Sequence, residues 1–231
     1  MKKIMLILFV AVLSFSGYAQ NLQAHYDMGE GRGYLTTTVE MFRPDKWGNT
    51  FFFIDMDYGD GDVEGVSLAY WEIARAIKLG ENCPVFAHAE YNGGFGQYYK
   101  SGTDYAAYQI NDAWMGGLEY EWNNKDFSKG VTFQAMYKNI RNKNNASFQT
   151  TLVWYLNFCK NKFRFDGFAD FWREDNMANY VDKTKFIFLT EPQIWYNLTQ
   201  NLACGSEIEI SSNMYVKGFR VNPTIAAKWT F

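Results

Sequence analysis

The sequence has few of the residues on which several classes of exported or membrane protein depend. Its 231 residues include only three cysteines and four prolines. Three widely spaced cysteines fit neither a dense disulfide framework nor a CxxC metal site, and scarce proline is compatible with many uninterrupted strands. After the first twenty residues no segment approaches the roughly 18 consecutive apolar residues of a membrane-spanning helix. These absences exclude a helical membrane span and a cysteine-based metal centre.

The N-terminal residues have the pattern of a secretory signal peptide. Two lysines precede an apolar core over residues 4–13, and Gly17 and Ala19 place small residues at the −3 and −1 positions of a cleavage site. The apolar core is too short to span a membrane, and the absence of a following cysteine argues against a lipid anchor. We predict a signal peptide at 1–19, cleaved near Ala19, and a mature chain at 20–231.

The mature chain combines a negative charge with an unusual aromatic content. Without the two N-terminal lysines it has 20 basic and 25 acidic residues, a net charge of about −5, which disfavours nucleic acid and anionic headgroups as partners. Aromatic residues make up 19% of the chain, yet the mean hydropathy is only −0.32. Export, many aromatics and no long apolar run together indicate a transmembrane β-barrel with aromatic girdles in contact with outer-membrane lipid.

Alternation of apolar and polar residues recurs in segments long enough for tilted membrane strands. We therefore predict an all-β protein, a transmembrane antiparallel up-and-down β-barrel of about 12 strands, with ten as the alternative count. The segments are LQAHYDM, YLTTTVEMF, FFFIDMDYGDGD, VSLAYWEIARAIKLG, VFAHAEYNG, WMGGLEYEW, VTFQAMYKN, FQTTLVWYLNF, FRFDGFADFW, FIFLTEPQIWYNL, LACGSEIEISS and PTIAAKWTF.

The connections between these segments alternate along the chain between a short series and a longer one. One series is short, with RPDKWGN, ENCP, NNKDFSK, CKNK and TQN, whereas the other includes the longer GFGQYYKSGTDYAAYQ, EDNMANYVDKTK and SNMYVKGFRVN. Short periplasmic turns that alternate with longer external loops are typical of outer-membrane barrels. The final strand IAAKWTF is amphipathic and ends at Phe231, like strands that bacterial barrel-assembly machinery recognises. We predict the outer membrane of a Gram-negative bacterium.

The segment at 51–62 indicates which residues line the lumen and therefore which solutes it binds. Its apolar face is expected to contact lipid, while Phe51, Phe53, Asp55 and Asp57 line the lumen. Continuing the alternation adds further lumenal residues, with Arg75 and Arg164 as counter-charges. The set is Phe86, His88, Glu90, Glu119, Glu121, Gln134, Gln149, Tyr155, Asp166, Asp170, Trp172, Glu191, Gln193, Glu207 and Glu209.

Rings beside carboxylates suit a neutral, ring-bearing, hydroxylated solute. Stacking of a base on an aromatic side chain is worth about 1–3 kcal/mol. Carboxylates accept hydrogen bonds from sugar hydroxyls and repel phosphate, which favours nucleosides over nucleotides. Sugars fit the same chemistry, so these residues alone leave both solutes open.

Five motifs narrow this choice. FFFIDMD, YWEIARAIKLG, GFADFWRED, LTEPQIWYNL and VNPTIAAKWTF occur in an order that resembles the Tsx-like nucleoside-specific channel-forming outer-membrane protein family. The resemblance implies a twelve-stranded barrel that passes nucleosides through a lumen of aromatic and polar residues. It departs from the family where Tyr-Trp-Glu replaces Glu-Trp and where no proline precedes Arg75. The residues that match the family pattern are Phe51, Phe53, Asp55, Glu72, Arg75, Asp170, Trp172 and Gln193.

Together these arguments predict a passive, selective uptake channel with no cofactor and no metal. The candidate substrate-binding residues are Phe51, Phe53, Asp55, Asp57, Glu72, Arg75, Glu90, Asp170, Trp172, Glu191, Gln193 and Glu207.

Simpler roles remain open for several of these residues. One alternative for Phe51 and Phe53 is packing that plugs the lumen, and the alternative for Glu72 with Arg75 is a structural ion pair in the lumen. Asp55 and Asp57 are alternatively rim residues, or a calcium site with Asp60 and Asp62, although the distal glutamate of such a loop is missing. We expect both histidines to be polar wall residues.

Two other functions also remain open. A barrel with a closed lumen would have a structural role. An outer-membrane lipid-modifying enzyme is a weaker alternative, because the sequence shows no nucleophile beside a base, and we predict that the protein is not an enzyme.

Overall fold

The computed structural model describes residues 19–59, 63–101, 104–143, 147–178, 182–214 and 216–231. No helix within these ranges is long and apolar enough to span a membrane. The predicted signal peptide, apart from Ala19, lies outside the described residues. The strands are β1 (Ala19–Asp27), β2 (Leu35–Asp45), β3 (Gly48–Tyr58), β4 (Val66–Lys78), β5 (Val85–Ser101), β6 (Asp104–Asn123), β7 (Lys129–Ile140), β8 (Ser147–Phe158), β9 (Phe163–Ala178), β10 (Asp182–Thr190), β11 (Gln193–Asn197), β12 (Leu202–Ser212) and β13 (Phe219–Thr230).

The strands form one closed antiparallel sheet. Each strand from β1 to β9 pairs with its neighbour in sequence, and β1 also pairs with β13. β10 and β11 both pair with β9 and with β12, so they are two halves of a single barrel strand. The result is a twelve-stranded barrel, which confirms the predicted fold and count and excludes ten strands.

The break between β10 and β11 has a local cause. Pro192 has no N–H to donate to the ladder, although its carbonyl oxygen still accepts from the Ile208 N–H at 3.1 Å. On β9, Gly167 has a φ of 150°, and a Cβ there would lie 2.5 Å from the carbonyl oxygen of Glu191. Only glycine fits so close an approach. The chain kinks at Glu191 without leaving the barrel.

The two faces of the sheet have the reverse of the usual distribution in soluble proteins. Large apolar side chains such as Ile73, Trp114 and Phe133 are exposed on the outer face. Polar side chains such as Gln23 and His88 are buried inside. An apolar exterior around a polar interior is the pattern of a membrane barrel, because lipid takes the place of the apolar core.

One end of the barrel carries only short connections among the described residues. They cover residues 46–47, 79–84, 124–128, 159–162 and 198–201. Ala19, the first residue of β1, and Thr230, the last residue of β13, lie at the same end. The predicted series of short turns is therefore confirmed, and the turn after β2 is tighter than the sequence indicated.

The opposite end differs from the prediction in two places. The segment GFGQYYKSGTDYAAYQ was expected to be a loop, but β5 continues to Ser101 and β6 begins at Asp104. The segment EDNMANYVDKTK likewise belongs mostly to β9 and β10. Pairing across the hairpin continues beyond the neighbouring strands, with Tyr99 packed edge-on against Tyr105 at a centroid distance of 5.7 Å. Cross-strand ring packing of this kind stabilises a ladder outside the barrel wall.

Candidate functional site in the barrel lumen

The strand register places nearly all the predicted site residues on the inner face. On β3, Asp55 pairs with Thr38, while its neighbour Ile54 pairs with Val39 on the lipid face. On the neighbouring strands, the residues paired with these inward residues also face the lumen, because paired residues lie on the same face of a sheet. The predicted residues that face the lumen are Phe51, Phe53, Asp55, Asp57, Glu72, Glu90, Asp170, Trp172, Glu191, Gln193 and Glu207.

Arg75 is the exception, and its predicted lumenal role is wrong. It lies three residues after the inward Glu72, so period-two alternation turns it to the outer face. Its guanidinium donates to Asp45 at 2.6 Å and to Thr50 at 2.9 Å, beside the short turn after β2. Arg75 is therefore a rim residue, and it forms neither an ion pair with Glu72 nor a lumenal counter-charge.

A row of rings lies on the β3–β4 wall of the lumen. The rings of Phe51 and Phe53 are 6.0 Å apart, and Phe53 lies 6.0 Å from Tyr70. All three side chains are half-buried rather than fully enclosed. The Tyr70 hydroxyl donates to Glu72 at 2.7 Å. Aromatic faces and a carboxylate therefore adjoin one another on an accessible part of the wall.

Carboxylates from distant strands face each other across the lumen. Asp55 accepts a hydrogen bond from the Thr38 hydroxyl at 2.5 Å on its own wall. The charge of Asp55 also acts on Glu191 and Glu207 of the opposite wall. Glu191 further interacts with the charge of Asp170. Carboxyl side chains thus occur on several walls of the lumen.

A polar network extends from the β4 wall toward β9. The amide nitrogen of Asn92 donates to Glu72 at 2.9 Å. On β7 the ammonium of Lys138 donates to Gln149 at 2.7 Å and lies 4.6 Å from the ring centroid of Trp172. Sequence reasoning missed Asn92 and Lys138. The signal was the same alternation, since Asn92 follows Glu90 by two residues and Lys138 follows Gln134 by four.

The wall that runs from β11 through β12 and β13 to β1 carries a second network. His25 packs edge-on against Trp195 at 5.9 Å, and its Nε2 lies 2.9 Å from the side-chain oxygen of Gln23. Lys228 lies 3.9 Å from the Trp195 ring centroid. The indole N–H of Trp195 donates to Gln193 at 2.9 Å. These side chains contact one another, and Gln23, His25 and Trp195 are buried.

The other histidine is held between two carboxylates. His88 Nδ1 lies 2.8 Å from Glu119, and Nε2 lies 3.0 Å from Glu90. Gln134 also donates to Glu119 at 2.8 Å. Both His25 and His88 are thus polar wall residues, as predicted.

The described part of the chain contains no cluster of His, Cys, Asp or Glu arranged to hold a metal ion. The calcium loop that the sequence left open includes Asp60 and Asp62, which lie outside the described residues.

A closed antiparallel barrel with an apolar exterior and a polar, acidic lumen defines a transmembrane β-barrel of the outer-membrane porin type. The chain belongs to the family described as "Domain of unknown function (DUF5020)", whose model matches residues 19–231. No curated protein matches the sequence.

Solved structures agree with this class. A "NanC porin" structure superimposes with a TM-score of 0.59 at 9% identity, covering 92% of this chain and 100% of that one. A "KdgM porin" gives 0.53 at 10% identity, with 92% and 99% covered. A second structure of that porin, in complex with disordered oligogalacturonate, gives 0.52 at 10% identity and the same coverage. Identities this low show the shared fold alone, and the Tsx-like resemblance stays a prediction from sequence motifs.

Proposed function

We propose that this protein is an outer-membrane channel for the passive, selective uptake of small neutral solutes that carry a ring and several hydroxyl groups. Nucleosides are the first candidates. The observation that carries the proposal is the accessible row of Phe51, Phe53 and Tyr70, which adjoins the carboxylates of Asp55 and Glu72 inside a closed barrel.

The chemistry of this wall favours neutral solutes. A base or a sugar ring stacks on the aromatic row, and its hydroxyl groups donate to the carboxylates. A phosphate or carboxylate on the solute would be repelled by the carboxylates on these walls. The KdgM structure in complex with oligogalacturonate shows that a porin of similar fold is associated with an acidic sugar chain. We expect the opposite charge preference here, because carboxylates dominate this lumen.

The proposed location rests on two features. The fold is that of outer-membrane porins, and the N-terminal sequence has the pattern of an export signal. The last strand supports assembly by barrel-assembly machinery, since β13 closes the barrel against β1 and the Phe231 N–H donates to Gln20 at 3.0 Å.

A structural barrel with a closed lumen is the second candidate. It is favoured by the buried network around Trp195 and by the buried cluster around His88. The proposal includes no enzymatic step and no cofactor. Both histidines are held inside the lumen, away from the lipid surface where a lipid-modifying site would lie.

The test is conductance of the purified barrel in planar lipid bilayers. We expect single-channel steps that adenosine and thymidine block, with weaker block by adenosine monophosphate. Equal block by glucose and adenosine would favour a general sugar channel over a nucleoside channel. The absence of conductance from a folded, heat-modifiable barrel would favour the closed structural barrel.

A further inference from the structure

One lysine lies among carboxylates on the inner face of the barrel. Met115 on β6 pairs with both Glu90 on β5 and Lys138 on β7, so these two residues lie at the same level of the wall. Lys138 also lies over the ring of Trp172 on β9, two residues after Asp170. Asp170, Glu72, Glu174 and Glu90 all act electrostatically on its ammonium, and Glu90 also contacts His88 at 3.0 Å.

Lys138 is held in this position by two contacts and by burial. Its ammonium donates to Gln149 at 2.7 Å and lies over the Trp172 ring, and its side chain is buried. The Trp172 indole N–H donates to Glu174 at 3.1 Å, which holds the ring in place. A cation over a tryptophan face is attracted by the ring quadrupole. The charge is therefore pre-positioned rather than free to follow a passing ion.

The same group of residues includes two hydrogen-bond acceptors that lack a donor. Among the described residues, the side-chain oxygens Asn92 Oδ1 and Asp170 Oδ1 are buried without a hydrogen-bond partner. Asn92 is only 4% exposed, and its amide group already donates to Glu72. Buried acceptors without donors are costly, so a group that donates hydrogen bonds would stabilise this place.

We propose that Lys138 is the specificity-determining charge of the lumen. Its ammonium occupies the place that a mobile cation would otherwise take, so the acceptors of Asn92 and Asp170 remain available to the hydroxyl groups of neutral solutes. This inference rests on the proposed channel function and adds the reason for its charge preference. Without the ammonium, Glu72 and Asp170 lose this positive charge, while Glu90 keeps its contact with His88 at 3.0 Å. Carboxylates without a cationic partner favour cations in a pore.

Lys228 provides the matched comparison. It also lies over a tryptophan, at 3.9 Å from Trp195, but Arg164 lies among the same charges. Arg164 pairs with Asp166 at 2.5 Å. Loss of Lys228 leaves Arg164 among the same charges, whereas loss of Lys138 removes the ammonium that acts on Glu72 and Asp170.

The experiment compares Lys138→Met, Lys138→Arg and Lys228→Met in planar bilayers under a potassium chloride gradient. A unit charge about 10 Å from the ion path changes the permeability of potassium and that of chloride by about tenfold each, in opposite directions, at an effective dielectric constant of about 20, so their ratio changes by about a hundredfold. We expect that increase for Lys138→Met, near wild-type behaviour for Lys138→Arg, and a clearly smaller change for Lys228→Met. The dication of 1,4-diaminobutane carries two such charges and should bind about a hundredfold more tightly to Lys138→Met than to the wild type.

Calorimetric titration of 1,4-diaminobutane into the folded barrel in detergent measures the same change without requiring conductance. If Lys138→Met does not fold, Asp170→Asn tests the same inference in the opposite direction. It removes a negative charge, so we expect a lower ratio of potassium to chloride permeability and weaker diamine binding. Unchanged diamine binding in Lys138→Met, or in Asp170→Asn when that is the variant that folds, would overturn the inference. An equal shift in Lys228→Met would also overturn it, because total charge rather than this lysine would then set selectivity. A silent wild type would instead refute the channel function, and calorimetry would still decide the role of Lys138.

Discussion

The two faces of β3 carry similar side chains in opposite surroundings. Ile54 is paired with Val39 on the lipid face and is exposed. Phe53, one residue before it, faces the lumen and contacts the rings of Phe51 and Tyr70. On the outer face the apolar side chain of Ile54 stabilises the barrel, because it contacts lipid. On the inner face the ring of Phe53 can contact a solute.

The largest expected effect tests this difference directly. Ile54→Arg places a charge in lipid near the middle of the strand and should destabilise the folded barrel by about 2–4 kcal/mol. Phe53→Arg places the same charge in a polar lumen and should cost less stability while impairing transport more. Urea unfolding in lipid vesicles, followed by gel mobility without heating, measures both variants. Equal destabilisation at the two positions would contradict the register of β3.

The next effect concerns the rings on the inner face. Phe53→Ala removes the centre of the aromatic row and should weaken block by adenosine and by thymidine alike, by about 1–3 kcal/mol. Little preference among bases is expected, because stacking depends on the ring face. The measurement is the concentration dependence of current block. Phe52→Ala on the lipid face is the matched control and should leave block unchanged.

A smaller effect should follow from the neighbouring carboxylate. Asp55→Asn keeps the shape and can still accept from the Thr38 hydroxyl, which lies 2.5 Å from the aspartate oxygen. Binding of nucleosides should weaken by about 1 kcal/mol or less, since a neutral hydrogen bond replaces a charge-assisted one. Discrimination against adenosine monophosphate should relax, because one repulsive charge is gone. An unchanged ratio of nucleoside to nucleotide block would argue against this carboxylate as a selectivity element.

The smallest effect is expected at the rim. Arg75→Ala removes an exposed ion pair with Asp45, and such pairs contribute little to stability because solvent screens them. Conductance and block should match the wild type, because the side chain lies outside the lumen. A strong change in ion selectivity in this variant would show that Arg75 reaches the permeation path after all.

Much of the fold could be predicted from periodicity alone. The alternation in FFFIDMD assigned Phe53 and Asp55 to one face and Ile54 to the other, and the β3 register confirms it. The same rule applied strictly would have placed Arg75 outside, because it lies an odd number of residues from Glu72. Arg75 was instead predicted inside the lumen as a counter-charge for its carboxylates, and its match to the family motif agreed with that prediction. Loop lengths were predicted less well, since β5 and β6 stay paired beyond the neighbouring strands.

The sequence by itself determined the barrel, the two faces of each strand and most of the residues that line the lumen. The physical reason is that a period of two requires only local geometry. Only the tertiary structure decided which lining residues meet, because sheet closure brings together positions that are far apart in the chain. Asp55 faces Glu191, and Lys138 lies among Glu72, Glu90 and Asp170, through the shared circumference of a closed sheet.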